Sequence, residues 1–262
     1  MIHDLQITEV PEIPRALRDR YLASLREGQE LYVERLVQRG RNFMLTGTTG
    51  VVGYAVLHEQ TVVEYHLETS SREALRTGLE AVLVRCRARS VLCKTFDSQM
   101  LTTLSDCNAN SRVVGLLFRK SHEHVSVHHQ VVISRKGTAE DLPTILAMHD
   151  GFFDDTDEIF EYLRSDGLWV YLTDTGELTG CGVIRRVVPG RDHADIGMVV
   201  SASQRKQGLG TYIVSHLRQD CLARGWLPVC GCSAENHASR RTLENAGFVS
   251  EHSLIEFTMD LS

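Results

Sequence analysis

The sequence predicts an α/β (α+β) fold in two similar halves, and three observations indicate it. Segments with apolar residues at helical spacing alternate with short β-like runs along the 262 residues. The segments of the second half follow the same order as those of the first. A faint internal match supports duplication, since residues 52–56 (VGYAV) resemble residues 179–183 (TGCGV). We therefore expect one domain over residues 1–130 and a second over residues 131–262.

In the first half, apolar residues at roughly helical spacing predict a helical segment over residues 12–39, which Gly40 ends. Ser70 and Ser71 suit the N-cap of a helix over residues 72–87. The other predicted elements are strands over residues 42–45, 51–57, 62–67, 90–95 and 113–118 and a helix over residues 98–107.

The second half is predicted in the same way, after a connector over residues 122–135. Its clearest element is a helix over residues 209–223, where Leu209, Ile213, Leu217 and Cys221 recur at every fourth position. Gly225 suits the end of that helix. The other predicted elements are helices over residues 141–148, 156–163 and 238–246 and strands over residues 168–173, 178–186, 194–200, 227–232 and 253–259.

The composition excludes several classes of protein. A net charge of -6 and a pI near 6.1 argue against a nucleic-acid binder, which would need a basic face. No stretch approaches the ~20 apolar residues of a membrane span, and no signal peptide is evident, so we expect a cytoplasmic protein without a membrane partner. The 7 cysteines are scattered and form no CxxC pair, so neither a disulfide framework nor a metal site is expected.

The most informative stretch runs from Met198 to Gly210, where an apolar strand leads through a glycine-bearing loop into an amphipathic helix. The first amides of a helix have no partner within the helix, and with the helix dipole they favour a pyrophosphate. Glycine lets the backbone approach the phosphates closely. The stretch has neither the Lys-Ser/Thr pair of a Walker loop nor a GxGxxG fingerprint.

Two motifs in this half resemble those of the GNAT superfamily of N-acetyltransferases. Arg205-x-x-Gly208-x-Gly210 matches the Gln/Arg-x-x-Gly-x-Gly/Ala signature, and Asn236 with Gly247-Phe248 matches the following Asn-x-x-Ala/Ser…Gly-Phe segment. The resemblance implies two tandem GNAT-like domains, each a mixed, mostly antiparallel sheet flanked by helices. The first domain is expected to be a degenerate copy without coenzyme, because no Gly-x-Gly follows residues 62–67.

The same resemblance implies acetyl-CoA as co-substrate, bound without a metal. Backbone groups of the strand before the loop would bind the thioester carbonyl and pantetheine, amides of the loop would bind the pyrophosphate, and an asparagine and a serine would contact the coenzyme arm. The strand residues that correspond in this sequence are Met198, Val199 and Val200. The loop amides correspond to those of Arg205, Lys206, Gln207, Gly208, Leu209, Gly210 and Thr211. The asparagine and the serine correspond to Asn236 and Ser239.

For catalysis, the resemblance points to a carboxylate on the strand before the loop, and Asp195 occupies that position. Asp195 is expected to act as the general base, as a clamp for the substrate ammonium, or as a structural hydrogen-bond acceptor. His193 shares its strand face and is an alternative base or a relay.

The general acid is a departure from the family pattern, because Leu243 stands where many relatives have a tyrosine. Ser239, Tyr212 or a water would protonate the thiolate, or the thiolate would leave unassisted. Cys232 and Ser233 would serve as nucleophile in a ping-pong route, although direct transfer is the family norm.

The predicted function is transfer of an acetyl group from acetyl-CoA to a primary amine of a small-molecule or peptide acceptor. The alternatives are a non-catalytic acyl-CoA sensor, a structural interaction protein and a nucleotide-binding enzyme. The loops over residues 150–157 and 188–193 are expected to set acceptor choice. The sequence does not decide between a monomer and a homodimer.

Overall fold

A computed structural model describes residues 5–107, 109–122 and 132–259. The described residues form two compact units. The first holds the residues up to Leu116, with Ser233–Glu235 and the residues from His252 onward, and the second holds Leu117–Cys232 and Asn236–Glu251 within the described ranges. The predicted domain boundary after residue 130 lies outside the described residues.

The first unit is a sheet flanked by helices, and its strands follow the order β1-β2-β3-β4-β5-β12. The pairs are antiparallel except for β4 and β5, which are parallel. Its elements are β1 (Gln6–Val10), α1 (Arg15–Ser24), α2 (Leu31–Arg39), β2 (Arg41–Gly47), β3 (Gly50–His58), β4 (Thr61–Leu67), α3 (Arg72–Cys86), β5 (Ser90–Lys94) and α4 (Ser98–Ser105), with parts of β6 (Ala109–Ser121) and β12 (Phe248–Met259).

One face of this sheet packs its apolar core against α3, where Leu79, Val82 and Leu83 are fully buried against Tyr65 and Leu67 of β4. Strand alternation places Glu64 and His66 of β4 on the opposite face. That face carries a buried polar network instead of a second apolar core.

Arg18 of α1 is the centre of this network. Its guanidinium donates to both carboxylate oxygens of Glu34 at 3.0 and 2.6 Å and to both oxygens of Glu64 at 3.1 and 2.9 Å. Lys94, which is 1% exposed, donates to the Tyr21 hydroxyl at 2.7 Å and to Gln29 at 2.9 Å. These paired charges join α1 and α2 to the strands of the first unit.

The second unit repeats this plan, with strands in the order β6-β11-β10-β9-β8-β7. β10 and β11 form a parallel pair, and β7, β8, β9 and β10 pair antiparallel in sequence. Its elements are β7 (Ile133–Lys136), α5 (Leu142–Met148), α6 (Thr156–Arg164), β8 (Leu168–Leu172), β9 (Leu178–Arg186), β10 (His193–Val200), α7 (Leu209–Ala223), β11 (Leu227–Ser233) and α8 (His237–Asn245), with the remaining parts of β6 and β12.

Helices cover both faces of β9 and β10. On one face, Val199 packs with Ile145 of α5 and Ile159 of α6. On the other, Gly182 of β9 lets Leu217 of α7 approach so closely that an added Cβ would lie 2.8 Å from its Cδ1. β10 is therefore a central strand whose two sets of side chains point towards different helices.

The predicted fold class is confirmed, and the predicted elements agree with the structure within a few residues at their ends. Two strands, β1 and β7, are absent from the prediction. Both lie at sheet edges and have mostly exposed or half-buried side chains, so they lack the apolar alternation that marks a strand. The helical segment over residues 12–39 is divided into α1 and α2. No helix among the described residues is long and apolar enough to cross a membrane.

Replacing Arg18 by Met should destabilise the protein strongly, because it leaves the buried carboxylates of Glu34 and Glu64 without their guanidinium partner. Breaking a buried ion pair costs about 3–5 kcal/mol. The control is Arg20→Met, since Arg20 and its partner Glu68 are both more than a third exposed and such pairs contribute about 0–1 kcal/mol. Urea unfolding measures both changes, and equal shifts of the midpoint would contradict the importance of the network.

Candidate functional site

The candidate site begins where β10 and β11 diverge. Their parallel pairing covers three positions, from His193 opposite Leu227 to Asp195 opposite Val229. Both strands continue beyond this point, β10 to Val200 and β11 to Ser233. The gap between them is therefore bordered by backbone of β10 and β11 that is no longer paired across the gap.

Strand geometry shows which backbone groups face this gap. Ser201 N–H donates to Thr179 of the β9 side at 2.9 Å, whereas the carbonyl of Asp192 accepts from Leu227 at the start of β11. Because successive residues of a strand direct their backbone groups to opposite sides, Met198 and the other even-numbered residues of β10 point theirs towards the gap. Val199 points its backbone groups towards β9, where it lies opposite Cys181.

The second element of the site is the start of α7. Gly208, at φ +87°, is its N-cap, and no side chain among the described residues caps this helix. The first helical bond runs from Tyr212 N–H to the Gly208 carbonyl at 3.0 Å. The amides of Leu209, Gly210 and Thr211 precede it and so lack an acceptor within the helix. These three donors, with the positive end of the helix dipole, can bind an anion.

The third element is α8, which begins at Asn236. The side-chain oxygen of Asn236 accepts from Ser239 N–H at 3.0 Å and thereby caps the helix. Gly210 permits close packing of α7 on α8, because an added Cβ would lie 3.1 Å from Cγ2 of Thr242. The helix thus borders the same opening as the amides of α7.

Together these elements enclose a cleft of about 1160 Å³ in the second unit. Its charged lining is mainly basic, with Arg205, Lys206 and Arg241 against Asp150. Of the predicted coenzyme-binding residues, those that line the cleft are Met198, Val199, Val200, Arg205, Lys206, Gly208, Gly210, Thr211, Asn236 and Ser239. Gln207 and Leu209 do not; Leu209 is buried in the core, and Gln207 donates to the carbonyl of Ser203 at 3.0 Å.

Asp195 is the last residue of β10 that pairs with β11. It therefore lies at the end of the gap where the two strands are still joined. By strand alternation its side chain shares a face with Gly197 and Val199, the face that packs with α5 and α6. His193 lies on the same face one step further from the gap. Both predicted catalytic side chains are half-buried.

The loop between α5 and α6 reaches over β10 at Gly197. Asp150 and Gly151 adopt φ +51° and +76°, and Asp150 accepts from Arg205 Nη2 at 3.0 Å. The next residue, Phe152, lines the cleft and lies on Gly197. The Arg205 side chain thus contacts this loop and also donates from Nε to the Val200 carbonyl at 3.2 Å.

The residues considered for the general acid lie in different surroundings. Leu243 lines the cleft and is 4% exposed. An apolar side chain therefore occupies the position at which the family resemblance predicts a tyrosine. Tyr212 packs edge-on against Tyr171 and stacks on His216, which supports a packing role. Cys232 and Ser239 both line the cleft, and burial raises the pKa of the Cys232 thiol above its ordinary value.

The equivalent place in the first unit has a different helix start. β4 and β5 also pair over a short parallel stretch, from Thr61 opposite Ser90 to Val62 opposite Val91. The following helix, α3, is capped by the hydroxyl of Ser71, which accepts from Ala74 N–H at 3.3 Å. Glu73 adds a carboxylate to its first turn. A capped helix start that carries an acidic residue is less favourable for an anion than the start of α7.

Metal binding finds no support in the structure. Over residues 5–107, 109–122 and 132–259, no group of three or more His, Cys, Asp or Glu side chains is placed to hold a metal ion.

Two family models match the chain. The model described as "Acetyltransferase (GNAT) family" matches residues 140–248. The model described as "Acetyltransferase (GNAT) domain" matches residues 12–121. The second match covers the half that lacks the glycine loop, so the chain carries two GNAT domains in tandem. Comparison with the curated proteins gives no significant match.

Solved structures show the same architecture. An acetyltransferase of the GNAT family from Colwellia psychrerythraea superposes with a TM-score of 0.87 at 16% identity, over 97% of this chain and 100% of its own. A tandem GNAT protein from the clavulanic acid biosynthesis pathway gives 0.57 at 13% identity, over 97% and 98%. A GCN5-related N-acetyltransferase from Sphaerobacter thermophilus gives 0.59 at 14%, over 92% and 83%. At these identities the likeness shows the fold.

Sequence analysis missed several residues of the cleft. His237, Arg241, Thr242 and Asn245 of α8 line it, and their signal was their place on the helix that follows Asn236. Phe152 belongs to the loop over residues 150–157, which the sequence predicts to set acceptor choice without singling out this residue. Nothing in the sequence indicates its contact with Gly197, which is 45 positions away and depends on the turn at Asp150 and Gly151.

The raised pKa of Cys232 bears on the ping-pong alternative, which needs a thiolate. Because burial favours the neutral thiol, alkylation of Cys232 by iodoacetamide should be slower near neutral pH than that of the free amino acid cysteine, and should need a higher pH to reach the same rate. Mass spectrometry of digested protein measures the rate at this site, with Cys232→Ser as the blank. Rapid alkylation at neutral pH would contradict the expected thiol state and reopen the ping-pong route.

Proposed function

Because the chain belongs to the GNAT acetyltransferase family and carries two of its domains in tandem, we propose that it is an N-acyltransferase using acetyl-CoA. It transfers the acetyl group directly to a primary amine of a small-molecule or peptide acceptor. One observation carries the proposal. The uncapped amides at the start of α7 and the open backbone of β10 border a single cleft, which lies in the second unit.

The cleft suits the chemistry of the coenzyme. The amides of Leu209, Gly210 and Thr211 supply donors for the pyrophosphate, and Gly208 and Gly210 leave no Cβ in its way. Arg205, Lys206 and Arg241 add positive charge to the lining. The pantetheine arm, which carries amides, fits the unpaired backbone groups of β10 and the side chain of Asn236.

The proposed reaction uses the gap between β10 and β11. Backbone N–H groups of β10 donate to the thioester carbonyl and stabilise the negative charge that its oxygen gains when the amine attacks. Asp195 accepts a proton from the ammonium, so that the neutral nitrogen forms the new N–C bond. The nitrogen of the resulting intermediate loses its second proton to solvent, the C–S bond breaks, and the sulfur leaves with the electron pair and takes a proton from solvent.

The proton for the leaving sulfur is assigned to solvent because of Leu243, which cannot supply one. The same leucine favours the second candidate function, a sensor that binds acyl-CoA without turnover. The two candidates differ in one readout, since only an enzyme releases CoA when an amine is added.

Two carboxylates of the acidic run at residues 154–158 are engaged at the start of α6. Asp155 caps α6 by accepting from Glu158 N–H at 2.9 Å, and Glu158 accepts from Asp154 N–H at 2.8 Å. Those two carboxylates serve the helix start. We therefore assign attraction of a cationic amine to Asp195, on the face of β10 that the acceptor approaches.

Coenzyme binding is tested by calorimetry with acetyl-CoA. The wild type should bind in the micromolar range, and the Gly208→Glu, Gly210→Glu double variant should lose binding because it places two carboxylates against the pyrophosphate. Asn236→Ala should weaken binding, whereas Asp155→Ala should not, although each substitution removes one helix cap worth about 1 kcal/mol. Failure of the folded wild type to bind any CoA compound would overturn the proposal.

Catalysis is tested with Asp195→Asn. This isosteric change removes the base and its charge, and loss of a general base lowers the rate by about 100- to 10,000-fold. CoA release from acetyl-CoA with a panel of primary amines measures the rate, and calorimetry should show unchanged coenzyme affinity. His193→Gln distinguishes a relay, which would also slow release, from a bystander. CoA release by Asp195→Asn at the wild-type rate would remove Asp195 from the mechanism.

A further inference from the structure

Phe152 lies directly on the open part of β10. Gly197 has no side chain, and a Cβ added there would lie 2.8 Å from Cζ and 3.3 Å from Cε2 of the Phe152 ring. The ring thus fills the place that a side chain of residue 197 would occupy. Phe152 is 37% exposed and lines the cleft, so its outer edge faces the space above the strand.

The opposite face of β10 packs mainly against α7. Ile196 is 2% exposed there, and Leu209 and Ile213 of α7 pack against Gly180 of the neighbouring strand. The Met198 side chain reaches the start of α7, within 3.4 Å of a Cβ added at Gly210. The face that Phe152 covers is therefore the side on which we place the acyl group whose carbonyl binds the backbone of β10.

The position of Phe152 is fixed from several sides. Its N–H donates to the His149 carbonyl at 2.9 Å, and the turn before it is bonded to Arg205 through Asp150. The following residue, Phe153, is 3% exposed in the core of the second unit and contacts the Phe152 ring edge-on at 4.8 Å between centroids. A longer acyl chain cannot displace this ring without disturbing those contacts.

We propose that Phe152, seated on Gly197, limits the acyl group of the co-substrate to a short chain such as acetyl. This inference rests on the proposed function and adds the residue that sets acyl length. In the wild type, a longer chain must move the ring or lift the thioester carbonyl out of the gap. Without the ring, the same chain lies on an apolar surface and gains about fourfold in affinity for each buried methylene.

The test compares dissociation constants of CoA, acetyl-CoA, butyryl-CoA and hexanoyl-CoA by calorimetry. For the wild type we expect affinity to fall as the acyl chain lengthens. For Phe152→Ala we expect the preference for acetyl- over hexanoyl-CoA to drop at least about tenfold, with the affinity for free CoA unchanged. The matched control is Leu146→Ala, an apolar side chain with similar exposure, 38%, that does not line the cleft; it should keep the wild-type preference.

A second pair of variants tests the contact itself. Gly197→Ala places a methyl against the Phe152 ring and should weaken acetyl-CoA binding, whereas Phe152→Ala with Gly197→Ala should restore it. Near-ultraviolet circular dichroism checks that each variant is folded.

Equal affinity of the wild type for acetyl- and hexanoyl-CoA, or an unchanged preference in Phe152→Ala, would overturn this inference and leave the proposed function standing. Absence of free-CoA binding by the wild type would overturn both.

Discussion

The short parallel pairing of β10 with β11 is the constraint on which the candidate site depends. After Asp195 and Val229 the strands separate, and the even-numbered residues of β10 keep their backbone groups without a strand partner. A buried N–H or C=O without a partner costs about 1–3 kcal/mol. The separation is therefore tolerable only where water or a ligand supplies the missing bonds. The uncapped start of α7 borders the same cleft, so both sets of donors lie around one space.

The two units show how one backbone plan can support different outcomes. In the first unit the strand pair diverges in the same way, but Ser71 caps the helix that follows. On the other face of β4, the Glu64 carboxylate already accepts hydrogen bonds from a guanidinium, a glutamine and a tyrosine. The first unit has thus exchanged ligand groups for internal ones.

The sequence predicts the parts of the fold that local patterns determine. The bounds of α7 agree with the prediction because four apolar residues recur at every fourth position and Gly225, at φ +72°, follows its end. β1 and β7 escape prediction because an edge strand buries few side chains. The loop motif locates the uncapped amides at the start of α7, since backbone amides at a helix start depend little on tertiary contacts. The ring of Phe152 on Gly197 is different, because it arises only when α5, α6 and β10 have packed together.

The loop that carries Phe152 is held by apolar burial more than by charge. The ion pair of Arg205 with Asp150 joins this loop to the pyrophosphate loop, yet its side chains are 46% and 73% exposed. Such a pair contributes about 0.2–1 kcal/mol, whereas burial of a phenylalanine such as Phe153 contributes about 1.5–3 kcal/mol. Phe153 therefore sets the position of the loop, and Arg205 only adds to it. An anion that draws Arg205 away would leave Phe152 in place, so the acyl boundary and the pyrophosphate site can operate independently.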